Sequence, residues 1–136
     1  LQELLSAAMW THKLFIGLLY FLAILNIYFI SKEQLFSSLG KQIEFLAPQY
    51  YLLLAAILFT GLLVWTVEQF AFKIDIVIMI AVWIVIFITS IMKYKRYKKT
   101  SYRDLEAQKV FKSFAVKKYV ADIILLSVAI AFAYIF

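Results

Sequence analysis

The chain has no cysteine, one proline, three glycines and one histidine in 136 residues, and only eight of its side chains are acidic. Without cysteine there is no disulfide scaffold, no zinc ribbon and no thiol redox chemistry. So few glycines and prolines exclude a loop-rich or low-complexity chain. Charge is scarce as well: 16% of residues are charged and 65% are apolar, where soluble domains run at roughly a quarter and a half. Disorder and an ordinary soluble domain are both excluded. What is present in quantity is uninterrupted apolar sequence, and that describes a helical membrane protein.

Crossing about 30 Å of hydrocarbon takes about 20 helical residues at a rise of about 1.5 Å each. Four segments qualify, at about 12–30, 50–67, 74–92 and 119–136. From Leu14 to Ile30 the first is interrupted only by Asn26, and no small-residue cleavage site follows Phe29-Ile30-Ser31, so it does not read as a signal peptide. The fourth carries Asp122 as its single charge, near its start. The sequence therefore predicts one integral domain over residues 1–136, an all-α antiparallel bundle of four transmembrane helices.

Orientation follows from the cations. Ten of the fourteen Lys and Arg residues lie between Lys93 and Lys118, with Asp104 and Glu106. This loop is cytoplasmic by the positive-inside rule, which sets both termini and the Glu68–Lys73 turn outside. Lys93, Lys95, Arg96, Lys98 and Lys99 are expected at the membrane surface, attracted to anionic headgroups by about 1 kcal/mol each. Trp10 and Trp65 would mark the outer interface, and Tyr50, Tyr51, Tyr94, Tyr97 and Tyr119 the inner one. The same cations and rings could stack on nucleic acid, but orientation and snorkelling account for all of them, so no nucleic-acid partner is expected.

The connecting segments carry helical patterns. Leu35, Leu39, Ile43 and Leu46 recur at intervals of three and four, which predicts a helix lying on the inner surface, with Pro48 opening the second span. Ser101 and Asp104 have capping-box spacing, so a cytoplasmic helix is expected from about Tyr102 toward the fourth span. Lys118 and Asp122 are spaced to pair along it. Asn26, Thr60, Thr89, Ser90 and Ser127 can bond backbone carbonyls or cross between helices, Gly17, Ala55, Gly61 and Ala129–Ala131–Ala133 permit close helix approach, and Trp83 reads as bundle packing. No ionisable group is expected at mid-membrane.

One constellation has chemical potential. His12 lies near the outer end of the first span, Lys73 at the outer entrance of the third, and Met79 under two turns deeper. A neutral imidazole can ligate haem iron or copper, a thioether can be the second ligand, and a cation can hold a propionate or a quinone head. An interfacial histidine beside Lys13 also needs no ligand at all.

His12 early in the first span, Pro48 leading into Tyr51-Leu-Leu-Leu, Thr60-Gly61-Leu62, and Lys73 opening the third span together resemble small four-helix bacterial membrane proteins of the SirB, CopD and HemJ type. The resemblance implies a haem-containing protoporphyrinogen oxidase on the HemJ side, with His12 as axial ligand of haem b and Lys73 as its partner. On the CopD side it implies copper uptake, and on the SirB side no assigned chemistry. Three readings follow: a non-catalytic or accessory multi-pass protein of the bacterial inner membrane, alone, as a homodimer or in a larger complex; a haem- or porphyrin-binding redox protein using His12, Lys73 and Met79; and copper or small-solute passage.

Overall fold

A computed structural model describes residues 2–32, 35–67, 74–100 and 103–135. They form four helices, α1 (Gln2–Ser31), α2 (Phe36–Val67), α3 (Ile74–Lys99) and α4 (Leu105–Ile135). Each packs against its chain neighbours, and α1 closes on α4, so the helices run up, down, up and down around a common axis. α1, α2 and α3 are long and apolar enough to cross a membrane.

Every helix buries one stripe. On α2 it runs through Leu39, Ile43, Leu46, Tyr50, Leu54 and Ile57, and on α3 through Val82, Ile86, Ser90, Lys93 and Tyr97. On α4 it runs through Phe111, Ala115, Tyr119, Asp122, Leu126 and Ala129. These are the three- and four-residue steps of a helix with one face inward. The outward faces are apolar too, with Phe21, Ile24, Leu52, Phe59 and Ile88 at least half exposed, a pattern that suits lipid rather than water.

α2 has 32 residues and so spans about 48 Å, well beyond the about 30 Å of hydrocarbon. The surplus lies at the basic end. There the segment expected to lie flat on the membrane is instead the first part of α2, continuous with the span. Leu39, Ile43 and Leu46 face the bundle core, because a second half-core is waiting for them: Phe36, Tyr97 and Phe111 pack ring to ring at centroid distances of 6.0–6.1 Å. Pro48 lies inside α2 rather than opening a helix, and its missing N–H costs the carbonyl of Glu44 one helical bond.

The helix expected in the basic loop and the segment expected as a fourth span are likewise one helix, α4. α4 starts at Leu105 because Asp104 caps it: Oδ1 accepts the N–H of Ala107 at 3.1 Å, the third N–H of the helix, which otherwise has no partner. Ser101 and Tyr102 lie outside the described residues.

Candidate functional site: a buried charged layer

The periodic stripes of α2, α3 and α4 bring six polar side chains together between two apolar half-cores. On α4, Lys118, Tyr119 and Asp122 lie three and four residues apart on one face. α3 contributes Lys93 and Ser90, and α2 contributes Tyr50. None of these six side chains is more than 5% exposed. Asp122 is the hub. Its Oδ2 accepts the hydroxyl of Tyr50 at 2.5 Å and the ammonium of Lys118 in an ion pair, both partners being 1% exposed. Lys118 Nζ also approaches the Ile86 carbonyl oxygen at 3.4 Å, an oxygen that takes the Ser90 hydroxyl at 2.7 Å. Lys93 Nζ meets the hydroxyl of Tyr119 at 2.5 Å.

The rings of Tyr50 and Tyr119 stand edge to face, 5.5 Å apart, and wall in the cations. Lys118 Nζ is 5.2 Å from both centroids and Lys93 Nζ is 4.9 Å from that of Tyr119. The ring faces thus supplement the single carboxylate.

α1 closes the layer. Tyr20 on α1 bonds Ser127 on α4 at 2.9 Å. Six residues onward along α1 and five back along antiparallel α4 put Asn26 level with Asp122. Asn26 is 2% exposed and donates to the Leu22 carbonyl at 2.7 Å. Among the described residues no buried side-chain nitrogen or oxygen lacks a hydrogen-bond partner.

The in-helix pairing of Lys118 and Asp122 agrees with their spacing. Their depth does not follow from it, and neither does the inward turn of Lys93, Tyr50 and Tyr119, expected at the membrane surface. Extending the α3 stripe from Val82, Ile86 and Ser90 by one more step lands on Lys93. That is the signal in the sequence; ten cations in a row of loop and helix ends hide it. Lys95, Arg96, Lys98 and Lys99 are exposed, with Lys98 joined to Glu44 at 3.0 Å and Arg96 lying over the Phe114 ring at 4.2 Å.

Toward the other end of the bundle, His12 is half-buried against α2. Its Nδ1 lies 2.8 Å from Thr60 Oγ1. That hydroxyl has one proton, directed at the carbonyls of Ala56 (2.8 Å) and Ile57 (3.1 Å), so it accepts from the imidazole. The network therefore assigns the proton to Nδ1 and leaves Nε2 as the ring's acceptor. Gly61 makes room for the ring, since a Cβ there would stand 3.3 Å from His12 Cε1. Gly61→Leu is expected to push His12 off Thr60 and lower stability by about 1–3 kcal/mol through overpacking, while Gly17→Leu, where a Cβ meets nothing within 4 Å, leaves unfolding in detergent unchanged.

Met79 packs on α3 with the apolar core. Trp83 belongs to the packing as well: its indole N–H donates to the Leu54 carbonyl at 2.8 Å and its ring stacks on Phe87 at 5.1 Å. Lys73 lies outside the described residues. Among the described residues no cluster of three or more His, Asp or Glu side chains is gathered to hold a metal ion. No protein-family model, curated protein or solved structure matches this chain.

Proposed function

We propose that the chain is a multi-pass protein of the bacterial cytoplasmic membrane that acts without catalysis of its own, as an accessory subunit in a homodimer or larger membrane complex. In this reading α4 is the fourth span, both termini face outward, and the basic end meets the cytosol and anionic headgroups. The observation that carries it is the inverted pattern of the bundle. Asn26, Thr60, Ser90, Lys93, Lys118 and Asp122 are buried while large apolar residues on all four helices are exposed. Polar groups turned inward and matched to one another, with apolar faces turned outward, suit a bundle that meets lipid and other membrane helices.

The expected outcome is a slower-migrating complex in native gels of gently solubilised membranes, with the purified chain colourless. A chain that runs only as a monomer removes the subunit reading. For orientation, a cysteine placed at Lys99 is expected to resist a membrane-impermeant maleimide in intact cells and to react after lysis. Labelling before lysis overturns the topology.

A second reading is favoured by the tautomer of His12. An imidazole that donates Nδ1–H to a fixed oxygen and keeps its Nε2 lone pair is oriented as metal-ligating histidines are, which supports haem b or another porphyrin at the outer side, with Met79 and Lys73 as further contributors. An absorption spectrum of detergent-purified protein tests it. This reading expects a Soret band that is lost in His12→Ala. Absence of the band, or persistence in the variant, ends it.

A further inference from the structure

The buried layer holds two amines and one carboxylate. Asp122 is engaged by Lys118 and Tyr50. Lys93, 3% exposed, has no ion pair of its own among the described residues; what it reaches is the Tyr119 hydroxyl and the face of that ring. The groups around it are Tyr50 from α2, Ser90 on its own helix, and Lys118, Tyr119 and Asp122 from α4. α1 supplies only the uncharged Asn26 at this level. With every group ionised in its ordinary form, the layer would bury one net positive charge, which a low-dielectric interior opposes.

The Lys93–Tyr119 contact fits two protonation states with the same heavy atoms. As an ammonium, Nζ donates to Tyr119 Oη. As a free amine, Nζ accepts the Tyr119 O–H proton. The change releases one proton to water, Lys–NH3+ giving Lys–NH2 and H+, breaks no other bond and leaves both partners satisfied. We propose that the Lys93–Tyr119 pair is a binding site for one exchangeable proton, taken up and released within the intact bundle, so that the charge of its interior follows the pH at the basic end.

The test uses the full chain in lipid bilayers with 15N-labelled lysine, followed by solid-state NMR from about pH 5 to about pH 10, a range that includes the values known for buried lysines. The Lys93 Nζ resonance is identified by its absence in Lys93→Arg. It is expected to pass from the ammonium to the amine position within this range while backbone resonances of α3 and α4 stay in place. Tyr119→Phe removes the oxygen that accepts from the ammonium. Bonds to charged groups are the stronger ones, so the midpoint is expected to fall by about one pH unit, a tenfold loss of proton affinity. A Lys93 that stays an ammonium throughout, or a midpoint that Tyr119→Phe leaves in place, overturns the proposal. As a second measurement, Lys93→Met, folded by circular dichroism, should take up one proton fewer than the wild type in a potentiometric titration across the same range. Equal uptake also overturns it.

Discussion

Asp122→Ala is expected to destabilise the bundle by about 3–5 kcal/mol, the usual result of removing one partner from a buried ion pair. Lys118 would keep its charge with no carboxylate beside it, and the Tyr50 hydroxyl would lose its acceptor. The loss arises from the groups left behind. Lys118→Met combined with Asp122→Leu is therefore expected to restore stability to within about 1–2 kcal/mol of the wild type, because apolar side chains of similar size replace buried pairs with little penalty. Reversible unfolding in mixed micelles, arranged as a double-mutant cycle, checks this. If the two single losses simply add in the double variant, Asp122 and Lys118 are not coupled as their geometry requires.

Phe111→Ala is expected to lower stability by about 3–5 kcal/mol, as truncation of a buried aromatic in a core does. Phe111 is 2% exposed and packs on Phe36 and Tyr97 in the part of the bundle that outruns the hydrocarbon. In the proposed topology that part stands in water, so burial there is expected to receive the full hydrophobic driving force. Phe59, 64% exposed on the lipid-facing side of α2, offers the contrast. Lipid tails are as apolar as the side chain, and Phe59→Ala is expected to change stability by less than about 1 kcal/mol. Equal effects at the two positions in the same unfolding assay would place the Phe36–Tyr97–Phe111 cluster in lipid.

The layer and the aromatic half-core have a common origin in helix length. α2 and α4 have 32 and 31 residues, so each carries a stretch suited to lipid and a stretch suited to water on one continuous stripe. The charged layer falls where the two stretches meet. Lysines there can keep their apolar stems in the bundle while the matched polar ends gather around one carboxylate. Lys93 and Lys95 illustrate the rule: two residues apart, they fall on different faces of α3, and one is buried while the other is exposed.

Composition and run length alone determined that this chain is helical and suited to a membrane, because about 20 apolar residues in a row leave the backbone no other way to satisfy itself in lipid. Local spacing was enough for the Lys118–Asp122 pair, whereas the helix it placed from about Tyr102 starts at Leu105 with Asp104 itself as the cap. The continuity of α2 through Pro48 was decided only by the assembled bundle: Leu39, Ile43 and Leu46 form an amphipathic stripe that would serve a membrane surface as well as a core, and the helices packed against them chose the core. The convergence of Tyr50, Lys93, Tyr119 and Asp122 was decided the same way, since residues as much as 72 positions apart meet only when three antiparallel helices settle their mutual register. Periodicity states which face a residue occupies; packing states what that face meets.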